Sequence, residues 1–202
     1  MTTSCHPATR PVRSSSVGFE PITLDEARAQ CLIADDMTVH DWRLTGFIQD
    51  AREQVEKDAM LAIATGTYSY KITQFPASDY LELHDLSPIT SITSITYVAP
   101  DGDTDTWTSS EYSLDTHSVC PIVRLGYNYS WPTIRGDING ITITVVAGYA
   151  TRNVVTERIR QAVKLWVSYL WWLGPGEQFE RAEDCQKAYD RKIASLRREV
   201  YA

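Results

Sequence analysis

Between residues 72 and 123 this chain has neither lysine nor arginine, while Asp79, Glu82, Asp85, Asp101, Asp103, Asp105, Glu111 and Asp115 all fall there. That stretch carries −8 and the remaining residues together +1, giving a formal net charge of −7. Such a balance offers no general attraction to phosphate or anionic lipid, which argues against a dedicated nucleic-acid binder. Long apolar runs are also missing. The most apolar helix-like run, Val163 to Leu173, is short and interrupted by Lys164, and Arg10 and Arg13 have no apolar run behind them. Neither a membrane span nor a signal peptide is expected. Cysteine is sparse and scattered: Cys5, Cys31, Cys120 and Cys185 include no close pair of the kind a zinc knuckle, redox motif or secreted disulfide framework requires. A reducing compartment fits this usage. With only 10 Gly and 9 Pro among 202 residues and 43% hydrophobic content, the chain has the composition of a folded protein. Its length suits one domain or two small ones.

The signatures of common chemistry are missing too. There is no Gly-x-Ser-x-Gly elbow, phosphate loop or dinucleotide fingerprint, so the chain is not expected to be an enzyme or to carry a cofactor. Asp101-Gly102-Asp103-Thr104-Asp105 has the alternating carboxylates that open a calcium loop. It departs from that loop at Thr106, where the sharp-turn glycine belongs, and at Tyr112, where the bidentate glutamate belongs; a solvated hairpin turn is the better reading. His84 lies near Glu82 and Asp85, and His117 lies three residues before Cys120, but neither pattern has a third ligand at diagnostic spacing. No metal is assigned.

Residues 1–20 are rich in Ser, Thr, Pro and Arg without apolar periodicity, and read as a flexible arm. Thr23 and Glu26 form a capping box ahead of Ala27, Cys31 and Leu32, which predicts a short helix. Leu44, Phe47, Ile48, Ala51, Val55 and Ala59 then recur at helical spacing. From Tyr68, Tyr70 and Ile72 the period changes to two. Further strand-like runs follow at 80–83, 92–98, 112–114, 122–125 and 141–146, separated by turn signals such as Pro100-Asp101-Gly102 and Asn139-Gly140. Helical spacing returns with Ile159, Ala162, Val163, Trp166, Tyr169 and Leu170, stops at Gly174-Pro175-Gly176, and resumes with Phe179, Ala182, Cys185, Tyr189, Ile193, Leu196 and Val200.

This order predicts an α+β fold, with N-terminal and C-terminal helices packed together around a central antiparallel β block, as a small sheet or sandwich. The expected organisation is an arm over 1–20, a helical domain over 21–61 plus 155–176, an inserted β block over 62–154, and a C-terminal docking helix over 177–202. Trp166, Tyr169, Trp171 and Trp172 lie on more than one helix face, so some of them are expected to meet a partner.

Several short segments resemble, in order, the head-tail connector (head-completion adaptor) proteins of tailed bacteriophages and gene transfer agents. They are Pro21-Ile22-Thr23-Leu24-Asp25-Glu26-Ala27, the helix Phe47-Ile48-Gln49-Asp50-Ala51-Arg52-Glu53-Gln54-Val55-Glu56, Pro88-Ile89 with Ile92 and Ile95-Thr96-Tyr97, Asp101-Gly102, Tyr112, Trp131-Pro132, and Ala147-Gly148-Tyr149 before Ile159-Arg160-Gln161-Ala162-Val163. The series spans roughly residues 21–173, and its order carries the resemblance. Thr156 stands where such proteins often have a proline, and Leu170-Trp171-Trp172-Leu173 replaces a more polar end.

The resemblance implies a structural virion protein of the neck, assembled in the host cytoplasm. It implies a homo-oligomeric ring, a dodecamer, that docks beneath the portal protein, extends the DNA channel and receives the next neck or tail-completion protein. DNA passes without specific binding, as an acidic wall allows. Within that reading Asp101, Asp103 and Asp105 are candidates for the channel-facing acidic loop, and Phe179, Tyr189, Ile193 and Leu196 for the portal-docking stripe. Two other readings stay open: a different neck or tail-completion protein, and a carbohydrate-type binding β module using Trp107, Trp131 and nearby tyrosines.

Overall fold

A computed structural model describes residues 10–116, 120–174 and 179–201. The fold is α+β, with four α-helices and two antiparallel sheets among the described residues. It divides into a helical unit, residues 17–64 and 149–202, and a β unit, residues 1–16 and 65–148.

The helical unit contains α1 (Leu24–Gln30), α2 (Asp41–Ala59), α3 (Glu157–Trp172) and α4 (Phe179–Tyr201). The capping box starts α1 as its sequence requires: Thr23 Oγ1 accepts from the Glu26 amide at 3.1 Å, and Glu26 Oε2 accepts from the Thr23 amide at 2.8 Å. Met60 ends α2 in the left-handed conformation, φ 54°, and its amide closes back on the Glu56 carbonyl. Thr156 occupies the cap position of α3 without a side-chain hydrogen bond. Leu44, Ile48, Ala51, Val55 and Ala59 of α2 pack with Ile159, Ala162, Val163 and Val167 of α3 and with Tyr189, Ile193 and Leu196 of α4 in one core. No described helix is long and apolar enough to cross a membrane.

The β unit contains β1 (Val12–Arg13), β2 (Gly66–Ile72), β3 (Tyr80–Glu82), β4 (Ile89–Val98), β5 (Thr104–Thr106), β6 (Tyr112–Asp115), β7 (Ile122–Leu125) and β8 (Ile141–Ala147). One sheet has the order β1-β2-β8-β4-β5 and the other β3-β7-β6. Tyr68, Tyr70 and Ile72 of β2 and Ile141, Ile143, Val145 and Ala147 of β8 alternate buried with partly covered or exposed neighbours, the period-two pattern of a sheet with one face on a core. The β2–β8 register then follows from that face assignment, since a slip by one residue would turn every one of these side chains outward.

Two parts of the chain differ from the expected organisation. The described end of the 1–20 segment is paired, with Val12 opposite Ser69 and Arg13 opposite Tyr68. Polar composition does not prevent a segment from covering a sheet edge whose backbone groups lack partners. Residues 179–201 group with the helical unit instead of standing apart. Of the break before them, Gly174 is described, while Pro175 and Gly176 lie outside the described residues.

Two polar clusters lock the helical unit. Arg52, almost fully buried, reaches Glu20 at 3.0 Å, Glu56 at 3.0 Å and Glu53 at 3.1 Å. Glu56 also accepts from the Ile63 amide at 2.8 Å, so this cluster joins the segment before α1, helix α2 and the chain beyond it. The second cluster surrounds Glu26, which meets Arg160 and, at 3.0 Å, Lys164 of α3. Burial raises the Glu26 carboxyl, but the Thr23 amide, Lys164 and Arg160 together outweigh it and hold the group down at about 2. Because that value lies below the unfolded carboxylate range, Glu26 stabilises the fold above about pH 4.5, and the contribution fades as pH falls toward 2. Chemical denaturation of Glu26→Gln should therefore show a loss of roughly 1 kcal/mol at pH 7 that shrinks near pH 3.

Candidate functional site

The acidic candidates sit on the hairpin that joins β4 to β5. Its strands pair Tyr97 with Asp105 and Val98 with Thr104. The turn closes through the Ala99 amide to the Asp103 carbonyl at 2.8 Å and the Gly102 amide to the Ala99 carbonyl at 2.9 Å. Gly102 takes φ +100°, which an L side chain rarely adopts, and Asp101 Oδ1 accepts from the Asp103 amide at 3.1 Å. Asp101, Asp103 and Asp105 are exposed, and none of them joins an ion pair among the described residues. The Tyr97 phenol, opposite Asp105, is raised by burial and then by Asp105 and Glu111.

Other members of the acidic run are engaged. Arg124 reaches back to Asp79 at 3.3 Å, Glu82 lies 3.0 Å from His84, and Glu111 accepts from the Trp107 indole at 2.6 Å. The run free of basic residues is thus partly neutralised by a neighbouring strand, and its unpaired charge concentrates on the hairpin.

His84 also lies 3.5 Å from Cys120, placing Glu82, His84 and Cys120 in a row. The Cys120 thiol is raised by burial, then by Glu82 and Asp85, so its environment holds it protonated, the opposite of a nucleophilic cysteine. Among the described residues no group of three or more His, Cys, Asp or Glu is arranged to hold a metal ion. His117 lies outside the described residues.

The docking stripe requires correction. Tyr189, Ile193 and Leu196 are 2%, 6% and 4% exposed, buried in the core of their own unit. The Tyr189 ring packs 4.6 Å from Trp166 and its hydroxyl donates to Asp58 at 2.8 Å. Burial, with Asp58 next, pushes that phenol up. Arg197 bonds the Asp58 carbonyl near the end of α2. Helical periodicity marks a face that needs cover, and here the protein's own helices cover it. Phe179, 65% exposed, is the one of the four candidates on the surface.

The α3 aromatics likewise find partners within the unit: Trp166 with Tyr169 and Tyr189, Trp171 with His40 and Arg43, and Trp172 with Arg181. Exposed apolar surface lies elsewhere, at Leu32, Met37, Val39 and Trp42, around the α1–α2 junction. Sequence reasoning missed this group, although Trp42 falls outside the Leu44-Ile48-Ala51-Val55 stripe. In the β unit Trp107 is 4% exposed and packs on Phe75, Tyr112 and Trp131. Trp131 stacks on Phe75 and donates to the Ser78 carbonyl at 2.7 Å. These indoles build a small core, not an open sugar platform.

Cys31 is buried and its thiol is pushed up to about 12, by burial and then by Cys185. Under native conditions iodoacetamide should modify Cys120 and Cys185 well before Cys31, whose labelling should follow global unfolding; mass spectrometry of the digested protein checks the order.

No protein-family model matches the chain, and no curated protein matches its sequence. Solved structures do match it in fold. A chain from the neck of an empty gene transfer agent particle, computed with C6 symmetry, aligns with TM-score 0.68 and 16% identity over 84% of this chain and 86% of that one. A chain of the native gene transfer agent virion aligns with TM-score 0.69 and 16% identity over 84% and 87%. One from the neck of the native particle, computed with C12 symmetry, aligns with TM-score 0.64 and 16% identity over 84% and 86%. At that level of identity what the chain shares with these neck and virion proteins is their fold.

Proposed function

We propose that this chain is a structural protein of the particle neck, a head-tail adaptor. In this reading copies of it form a ring beneath the portal, extend the DNA channel and offer a platform to the next neck or tail-completion protein. The observation that carries the reading is the fold likeness, over most of both chains, to proteins of gene transfer agent necks. The ordered series of adaptor-like segments between residues 21 and 173 supports the same assignment independently. C6 and C12 symmetry in the matching necks supports a closed ring of twelve copies.

The unpaired carboxylates of Asp101, Asp103 and Asp105 suit a channel lining, because a surface that repels phosphate lets the duplex slide. Phe179, exposed at the start of α4, is the docking candidate that remains accessible to the portal. The carbohydrate-module reading loses support from the buried Trp107 and the stacked Trp131.

Averaging the neck of particles that carry labelled copies of this chain tests the assignment: a closed ring adjoining the portal is expected, and a single copy or none overturns it. A second measurement addresses the lining. Replacing Asp103 and Asp105 together with Lys, while keeping the Asp101 carboxylate that closes the turn, should leave the melting temperature nearly unchanged, because exposed substitutions cost about 0.5 kcal/mol or less. The same variant should acquire salt-sensitive retention on duplex DNA and lower DNA transfer by assembled particles. Normal transfer would make the charge a solubility feature.

A further inference from the structure

The larger sheet of the β unit has an unusual edge. Its β2 strand is covered by only two residues, Val12 and Arg13, and these arrive from a segment that the whole stretch 17–64 of the helical unit separates from β2 in sequence. An uncovered β2 would present a row of unpaired amides and carbonyls. The arm meets that need residue by residue. The Ser14 amide donates to the Thr67 carbonyl at 2.9 Å, the Ser14 hydroxyl donates to the same oxygen at 3.2 Å, and Ser15 Oγ accepts from the Thr67 amide at 2.9 Å.

Arg13 has a fitted seat. Its Nη2 donates to the Thr65 carbonyl at 3.0 Å, and its guanidinium carbon lies 5.4 Å from the centre of the Tyr68 ring. Beneath it is Gly66, where an added Cβ would come within 2.8 Å of the guanidinium nitrogens. Charge fits as well: Arg10 and Arg13 make the arm basic, whereas residues 65–148 hold nine carboxylates against Lys71, Arg124 and Arg135. Beyond Ser15 the chain is loosely held, with Ser16 and Gly18 exposed and nothing within 4 Å of the place a Gly18 Cβ would occupy.

We infer that the β2 edge with its Arg13 seat is an arm-docking site, filled in the assembled protein by residues 12–15 of a second copy of this chain. The inference rests on the ring reading above and names the surface that joins its subunits. Donor and acceptor are different surfaces, so donation from each copy to the next runs head-to-tail and closes a ring when repeated around an axis, whereas reciprocal exchange between two copies would stop at a dimer. Swapping an identical strand keeps every hydrogen bond of the unswapped chain, so exchange needs no new interface chemistry. It needs only the Ser16–Gly18 connection to redirect the arm.

A disulfide trap tests this on full-length protein in which Cys5, Cys120 and Cys185 are replaced by Ser. One preparation carries Val12→Cys and another Ser69→Cys, the two positions that face each other across the edge. After mixing and oxidation with diamide, a reducible heterodimer is expected. Its yield should fall several-fold when the donor also carries Arg13→Ala or the acceptor also carries Gly66→Ala. A single chain with both cysteines should give a ladder of linked copies when oxidised within particles. If that chain locks only within itself while the necks average as closed rings, the inference falls and the ring stands. Heterodimers from a protein that builds no ring would keep the exchange and remove the ring.

Discussion

A chain ended after Gly176 is expected to lose the cooperative unfolding transition of its helical unit and to bind hydrophobic dyes in its collapsed remainder. The reason is how α4 is spent. Ala182, Tyr189, Ile193 and Leu196 fill one side of the core, and the Tyr189 hydroxyl and Arg197 tie the helix to the end of α2 through Asp58. Removing the helix leaves the faces of α2 and α3 that pack on it without cover, and hydrophobic stabilisation scales with the area kept from water. Leu196→Ala gives a graded version: a cavity at a buried leucine should cost about 2–5 kcal/mol, read as a lowered denaturation midpoint with an unchanged slope. A helix that served only to dock another protein would leave both transitions where the intact chain has them.

Arg52→Ala is expected to lower stability by about 3–5 kcal/mol, which in a protein of this size displaces the melting temperature by roughly 10 °C. The loss exceeds that of a surface ion pair because the guanidinium is buried and divides its donors among Glu20, Glu53 and Glu56. Without it, Glu20 and Glu56 face each other with no cation between them. Burial already raises the Glu20 carboxyl, ahead of the lowering effect of Arg52, so the variant should raise it further. Protonation then relieves the repulsion, and the gap between wild type and variant should narrow as pH falls through the carboxylate range. Arg52→Lys should recover only part of the loss, since a single ammonium cannot span the geometry that the planar fork covers. Calorimetry of the three proteins at pH 7 and near pH 4 checks both the size and the direction.

The fold class was legible because it depends on local, periodic signals. Thr23 and Glu26 stand at the spacing their reciprocal bonds need, and the capping box is there. Tyr68, Tyr70 and Ile72 alternate because one face of β2 meets a core, and the strands near 80, 92, 112, 122 and 141 lie between the turns that punctuate them. The short β5 strand was not legible. Thr104, Asp105 and Thr106 are all exposed, so no alternation marks them, and pairing with β4 alone makes them a strand.

The candidate site was legible to a smaller degree. Exposure of Asp101, Asp103 and Asp105 follows from turn chemistry written into Pro100-Asp101-Gly102, and the sequence by itself determined that hairpin as well as the α+β order of elements. Tertiary structure alone decided what covers each apolar stripe. The 3.6-residue period of Phe179, Tyr189, Ile193 and Leu196 is the same whether a helix packs on its own domain or on a partner, because periodicity records that a face is buried and not by whom. Neutralisation of Asp79 by Arg124 also required the fold, which sets β3 beside β7 across 45 residues of chain. The same holds for Arg13: nothing in its Ser- and Arg-rich surroundings signals a strand, and its place on β2 comes from a sheet edge and a missing Cβ at Gly66 that exist only once the β unit has assembled.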